Sequence, residues 1–468
     1  MKTYSYTYDK ETGGIILNSS PTGFSKEPRP VYASELDALG FNQYWRYDQQ
    51  SDYPYMWAEA NCYYYRGTLV AKLKGGNVFS APEILVPALA CDTTLEKQKW
   101  ENVFISPRSK ALHNESLDDN RIIYLYDLPE PEGMSLRPVN IEAMVAANRA
   151  MLEIIEQTTV KKILDVYSKY KNKLDCFHVA FSGGKDSCVL LDLVKKALPK
   201  GSFVVVFGDT GMEFPDTYDV VNKIKQQCVN DEIPFYVAKS HMDPQDSWQM
   251  FGPPSRTLRW CCSVHKSTPQ TLMLREVTEK DNYTGLAFVG VRAQESATRA
   301  GYEYENYGKK VKGQYDFYPI LEWTSAEVFL YAFANDITIN ETYKKGNSRA
   351  GCLVCPMSGG LSEYMRQSIY PKEMTQYFNF IRDTSDKPFT DARFQDFMNR
   401  GAWKSRADGR FVGGTDKKYF EDSKDGKTFI TITNPSSDWQ EWIKTLDWDI
   451  SIYVKATPHK TLANAKKK

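Results

Sequence analysis

The feature that most restricts how this chain can fold is an apolar run, Phe177-His-Val-Ala-Phe181, that breaks into Ser182-Gly-Gly-Lys-Asp-Ser187 and resumes as Val189-Leu-Leu-Asp-Leu-Val194. The first run has the length of a strand, the last runs into a helix, and the glycines between them form the turn. Phe203-Val-Val-Val-Phe207 is continuously apolar, as expected for a strand of a parallel sheet buried on both faces. Ile233-Pro-Phe-Tyr-Val-Ala238 and Gly285-Leu-Ala-Phe-Val-Gly290 extend the pattern, with helical stretches between them. Upstream, residues 140–173 carry helical spacing with few breakers. The alternation predicts an α/β fold with a doubly wound, mostly parallel sheet over residues 136–358.

In such a sheet the ligand crevice lies at the carboxyl ends of the strands, where the glycine loop falls. Gly183 and Gly184 have no Cβ, so main-chain N–H groups can close around a phosphate. Lys185 supplies charge, Ser182 and Ser187 supply hydroxyls, and Asp186 is placed to cap the helix whose positive end faces the anion. This is not a Walker A loop, because aspartate follows Lys185. Gly426-Lys-Thr428 lacks the upstream glycine and reads as a hairpin turn. Asp209, Thr210 and Gly211 follow an apolar strand and would face the same crevice. Arg292 offers a planar fork for phosphate or sulfate, with Glu295 expected to orient it.

Trp260-Cys-Cys-Ser-Val-His-Lys266 and Gly351-Cys-Leu-Val-Cys-Pro356 supply four thiols: Cys261, Cys262, Cys352 and Cys355. Adjacent Cys261 and Cys262 project differently from the backbone, which suits a larger cubane better than one tetrahedral zinc. Zinc and a dithiol at 352/355 remain the alternatives. His265 and Lys266 either tune this group, touch a sulfur–oxygen group of the substrate, or lie in an exposed loop. Cys62, Cys91, Cys176, Cys188 and Cys228 fall on apolar or helical segments and read as buried bystanders. Nine cysteines in 468 residues are too sparse for a disulfide framework, and two-residue spacing points to metal or redox chemistry in a reducing compartment, the cytoplasm by default.

Ser182-Gly-Gly-Lys-Asp-Ser187 resembles the motif of the adenine-nucleotide alpha-hydrolase-like (PP-loop) ATP pyrophosphatases. Three more segments are similar to the phosphoadenosine-phosphosulfate (PAPS) reductase-like branch of that superfamily. They are Phe207-Gly-Asp-Thr-Gly-Met-Glu-Phe-Pro215, Gly290-Val-Arg-Ala-Gln-Glu-Ser-Ala-Thr-Arg299 and Tyr318-Pro-Ile-Leu-Glu-Trp323. The likeness spans roughly residues 150–360. It implies an adenine-nucleotide site for ATP or PAPS, with Mg²⁺ offsetting a triphosphate's charge. It also implies a [4Fe–4S] cluster, since iron–sulfur relatives carry Cys-Cys and then Cys-x-x-Cys at similar separation. One departure matters: sulfonucleotide reductases carry a nucleophilic cysteine in a C-terminal Glu-Cys-Gly-Leu-His motif, and no cysteine follows Cys355 here.

Around this centre, residues 1–135 read as a β-rich module that opens with a hairpin and a Pro-rich connector, Pro28-Arg-Pro30. Its aromatics, from Phe41 through Tyr63-Tyr-Tyr65, read as packing of a small sheet rather than a base-stacking platform. Residues 359–468 read as an α+β extension with a strand at Thr428-Phe-Ile-Thr-Ile-Thr433. Trp403 with Lys404, Arg406 and Arg410 forms either a basic loop for a nucleic-acid acceptor or a solvated turn. Lysine plus arginine equals aspartate plus glutamate, 59 each, so net charge selects no partner. No apolar run approaches the ~20 residues needed to span a bilayer.

The leading expectation is an ATP-dependent adenylating sulfur-transfer enzyme, with Lys185, Asp186 and Arg292 doing the catalytic work and a sulfur- or electron-donor protein as partner. The alternatives are a sulfonucleotide reductase using a thiol from elsewhere, and a nucleotide- and cluster-binding regulatory or phage-defence subunit without turnover. An oligomer is expected.

Overall fold

The computed structural model describes residues 4–21, 27–87, 104–105, 135–307, 313–383, 390–405, 419–424, 427–432, 453–457 and 460–466. The chain opens with the expected hairpin, β1 (Tyr4–Tyr8) antiparallel to β2 (Ile15–Pro21). An antiparallel six-stranded sheet follows: β3 (Arg29–Val31), β4 (Met56–Glu59), β5 (Cys62–Tyr65), β6 (Thr68–Lys74), β7 (Glu83–Pro87) and β8 (Phe104–Ile105). Its aromatics are buried as packing: Phe41, Trp45, Tyr55, Tyr63 and Tyr65 share one apolar cluster. Phe41 stacks on Trp45 with ring centroids 5.5 Å apart.

The long helix Ile141–Tyr170 starts where Asn140 accepts a hydrogen bond from the Ala143 N–H, an ordinary N-cap. Its buried positions Met144, Leu152, Ile155, Ile163 and Val166 keep a helical period against the main core. Buried Asn148 accepts from the Leu17 N–H at 2.7 Å and donates to the Ile15 carbonyl at 2.8 Å, which ties the hairpin to this helix.

The second six-stranded sheet has the order β11-β10-β9-β12-β14-β13. Its members are β9 (Cys176–Phe181), β10 (Val204–Asp209), β11 (Phe235–Lys239), β12 (Gly285–Val289), β13 (Glu305–Tyr307) and β14 (Gln314–Phe317). All pairs are parallel except β13 with β14. The fold is a doubly wound, mostly parallel α/β sheet, as expected. From β9 the chain builds outward through β10 and β11, then returns to lay β12 on the other side of β9. The order therefore reverses between β9 and β12, and the glycine loop leaves β9 at that switch point, where doubly wound sheets bind ligands.

Helices Gly360–Ile369, Pro371–Asp383 and Asp391–Asn399 join the two sheets. Met365 enters the aromatic cluster, Val78 enters the C-terminal cluster, and the Phe79 N–H donates to Asn399 Oδ1 at 2.9 Å. The expected C-terminal strand is β16 (Lys427–Ile432), in an antiparallel sheet with β15 (Tyr419–Lys424), β17 (Tyr453–Thr457) and β18 (Lys460–Lys466). Among the described residues no helix is long and apolar enough to cross a membrane.

Candidate functional site

The glycine loop is held by contacts from distant segments. Gly183 has φ +68°, and a Cβ there would lie 2.8 Å from Thr217 Cγ2, so both conformation and space demand glycine. Buried Asn340 donates to the Gly183 carbonyl and to Thr217 Oγ1, each at 3.0 Å. The Tyr343 hydroxyl accepts from the Lys185 N–H at 3.1 Å. Ser187 Oγ donates to the Gly184 carbonyl at 2.9 Å and lies 3.2 Å from Ser182 Oγ. The helix Lys185–Ala197 begins at Gly184 without a side-chain cap. Asp186 does not cap it as expected, because its carboxylate is engaged by cations.

Those cations are Lys185 and Arg292, which meet only in three dimensions. Lys185 Nζ lies 2.8 Å from Asp186 Oδ2, and Arg292 Nε lies 2.6 Å from Asp186 Oδ1. Lys185 is 5% exposed and Arg292 1%. Burial pushes the Lys185 ammonium below its ordinary value, with Asp186 opposing the shift. For Asp186, burial works against ionisation, but Arg292 and Lys185 outweigh it and hold the carboxyl well below the usual range. The rest of the Arg292 fork goes to Glu27, at 2.7 Å and 2.6 Å. Burial opposes the charge of Arg292, and Asp186 and Glu27 more than restore it. A cavity of about 190 Å³ opens beside this cluster, lined by Glu27, Arg29, Lys185, Arg292, Glu295, Ser325, Phe329, Ser348 and Arg349.

Glu295 does not orient the guanidinium as expected. Its carboxylate accepts from the Arg292 main-chain N–H at 3.0 Å and pairs with Arg299 and, at 2.8 Å, Arg349. Asp209, Thr210 and Gly211 stand at the same sheet edge but turn from this cavity. Asp209 accepts from the Gly211 N–H at 2.8 Å and the Tyr218 hydroxyl at 2.9 Å. Thr210 Oγ1 donates to Glu213 at 2.9 Å and lies 3.7 Å from Cys352 Sγ. Glu27, Arg29, Asn340, Tyr343 and Arg349 were not anticipated, since each comes from a segment with no local motif.

The two cysteine segments are brought together. Cys352 bridges Glu213, and the Leu353 N–H donates to the Met212 carbonyl at 2.7 Å. Cys261 and Cys352 pack in one cluster with Trp260, Phe214 and Trp248. The Cys261 thiol is pushed up by a hydrogen bond with Cys262, then by burial, and by Cys352 and Cys355. Burial also raises Cys352, while Lys266 pulls it down. Buried Arg366 donates to the Leu353 carbonyl at 3.1 Å; burial lowers its pKa, with Cys355, Glu363 and Cys352 opposing the shift. Among the described residues no three His, Cys, Asp or Glu side chains converge as a ready metal-ion site. The donor chemistry nevertheless fits a thiolate-ligated group: four thiols, two nearby cations, and buried Trp260 Nε1 and Arg366 Nε atoms with no hydrogen-bond partner among the described residues. Cys261 and Cys262 lie in a helical turn that passes into a π-helical turn, Ser263–Ser267, a distortion frequent at functional sites. His265 is buried there rather than exposed, 2.8 Å from Ser247 Oγ.

Of the other cysteines, Cys188 and Cys228 are buried as expected, and Cys62 and Cys176 are half-buried. Cys91 lies outside the described residues. Trp403 and Lys404 are buried, 2% and 4% exposed, with Lys404 paired to Glu363, so neither can grip a nucleic-acid backbone. Arg406 and Arg410 lie outside the described residues.

A model of the phosphoadenosine phosphosulfate reductase domain matches residues 177–358, the stretch that holds the loop, Arg292 and all four cysteines. Two uncharacterised proteins of Methanocaldococcus jannaschii are each 31% identical, over 268 and 276 residues. These alignments cover 56% and 58% of this chain but only 52% and 61% of the relatives' own lengths. The adenosine 5'-phosphosulfate reductase of Geobacillus thermodenitrificans is 30% identical over 200 residues, 42% of this chain and 79% of that enzyme. The crystal structure of phosphoadenylyl-sulfate reductase from Candida auris is also similar, at 18% identity with a TM-score of 0.32, covering 43% of this chain and 93% of that one. With the domain match falling on the segments that build the switch-point loop and the cysteine pairs, and a relative 30% identical over 79% of its length, the chain belongs to the phosphoadenosine phosphosulfate reductase family.

Proposed function

We propose that this chain is an ATP-using enzyme that activates an acceptor oxygen as an adenylate and replaces it with sulfur. One observation carries the reading: the Lys185–Asp186–Arg292 cluster borders a cation-lined cavity at the switch point, and at the end of the neighbouring strand Thr210 lies 3.7 Å from Cys352 Sγ. The loop at 182–187 would cradle the triphosphate, and Lys185 and Arg292 would stabilise charge gathering on the phosphoryl oxygens. The acceptor oxygen attacks the α-phosphorus, the α–β bridging bond breaks, and pyrophosphate leaves. A hydrosulfide then attacks the activated carbon, a C–S bond forms, and the C–O bond breaks as AMP leaves with the oxygen. Asp186 favours the charged form of both cations and aligns them, since its carboxylate stays ionised between them. Mg²⁺ would offset triphosphate charge. Cys261, Cys262, Cys352 and Cys355 would hold a [4Fe–4S] cluster, whose chemistry is electron or sulfur handling.

The name of the Geobacillus relative favours a second reading, reduction of a sulfonucleotide. That route needs a thiol able to attack sulfur. Burial pushes Cys176 and Cys188 up to about 12 and Cys228 to about 11, which leaves little thiolate on any of them. The deciding assay uses anaerobically purified full-length protein. ATP with Mg²⁺ and candidate acceptors should release pyrophosphate, while PAPS or its 3'-dephosphorylated analogue with thioredoxin should release no sulfite above background. Robust thioredoxin-dependent sulfite release would put the reductase first; neither product would favour a non-catalytic subunit.

A further inference from the structure

The guanidinium fork that a substrate anion would need is already filled by a carboxylate of this chain. Glu27, from the connector ahead of β3, takes both terminal nitrogens of Arg292, while Arg292 Nε is committed to Asp186. Arg292 lines the cavity but is only 1% exposed, and Glu27 holds both of its terminal nitrogens. Glu27 is held in an unfavourable conformation: its φ is +56°, in the left-handed region that non-glycine residues avoid. Two residues on, Arg29 lines the same cavity and donates to Glu35 and, at 3.4 Å, to the Tyr63 hydroxyl of the N-terminal core. The cavity itself, about 190 Å³, is smaller than the roughly 300–1,000 Å³ of sites that enclose a whole small molecule. Its size suits one phosphate- or sulfate-sized group.

We propose that segment 27–29 is a gate on the anion pocket, in which Glu27 stands in for an anionic group of the ligand and leaves the Arg292 fork when that group enters. The proposal rests on the reading of the loop as a nucleotide site. Departure of Glu27 leaves Arg29, Lys185, Arg292 and Arg349 facing the carboxylates of Asp186, Glu35 and Glu295, an excess of positive charge that favours an anion in its place. It also relieves the strained φ. The N-terminal sheet thereby senses occupancy of the nucleotide site.

The test is calorimetry on full-length wild type, Glu27→Gln and Glu27→Ala, with ATP, inorganic pyrophosphate and inorganic phosphate as probes. Removing a competitor raises apparent affinity by the inverse of the open fraction, here on the order of tenfold or more. Tighter binding of any of the three anions by both variants supports the gate. Weaker or unchanged binding overturns it and makes Glu27 a support of Arg292 or a bystander. Nucleotide bound equally by wild type and variants sinks the gate and leaves the nucleotide reading standing. Gain of phosphate affinity without any ATP binding does the reverse. Hydrogen exchange on wild type covers the case of a variant that fails to fold. With saturating pyrophosphate the main chain at 27–31 should exchange faster while 182–187 slows; protection of both segments overturns the proposal.

Discussion

Gly183→Ala tests whether the loop geometry, rather than its sequence, makes the anion site. Two costs follow from the structure. Alanine at φ +68° costs about 1 kcal/mol. Its Cβ would also lie 2.8 Å from Thr217 Cγ2, and Thr217 cannot swing aside cheaply, being fully buried with its hydroxyl held by Asn340. Overpacking of that kind costs about 1–3 kcal/mol. The sum is about 2–4 kcal/mol, and it must appear either as lost stability, if the loop keeps its shape, or as lost nucleotide affinity, if the loop shifts. Taken wholly in binding, it corresponds to roughly a 30- to 1,000-fold rise in Kd. Gly201→Ala is the control, because Gly201 has φ +76° with nothing near its Cβ position and should lose only about 1 kcal/mol of stability. Urea unfolding and nucleotide titration of both variants measure the two components. If Gly183→Ala matches Gly201→Ala in both, crowding by Thr217 is not what specifies the loop, and the argument fails.

Two further outcomes follow from buried charge. His178 is buried, and burial depresses its imidazole from 6.5 to about 4, so its contribution to stability is complete above pH 6.5 and is lost as pH falls toward 4. Between pH 7 and pH 5 that loss is about 2 kcal/mol, and His178→Gln should lose correspondingly less when urea midpoints are compared at the two pH values; identical pH dependence would refute it. Lys404→Met strands the Glu363 carboxylate in the interior and should cost about 3–5 kcal/mol, with Glu363→Gln added in the double variant recovering part of it. A loss within about 0.5 kcal/mol, the behaviour of a solvated surface lysine, would refute the burial of that pair.

The sequence alone determined the parts whose signal is local. Phe177–Phe181, the two glycines and the helix after them are contiguous, and period and turn chemistry act over a few residues, so the strand–loop–helix unit and its parallel sheet could be read directly. The continuous apolar run through Val205, Val206 and Phe207 likewise announced a strand covered on both faces. The cysteine pairs were legible as pairs, because spacing is a property of the chain. What only the tertiary structure decided is which charges meet. Asp186 reads locally as a helix cap, but Arg292, over a hundred positions away in sequence, takes its carboxylate. Glu295 reads as the partner of the nearby Arg292, but Arg299 and Arg349 claim it and Glu27 takes the fork instead. Lys404 reads as a solvated cation beside Trp403, whereas helix packing buries both. Electrostatic partnership depends on distance and burial in space, and neither is encoded by spacing along a chain. The pairing of connector residue Glu27 with an arginine at the sheet's switch point therefore emerges only when the N-terminal sheet is docked on the α/β core.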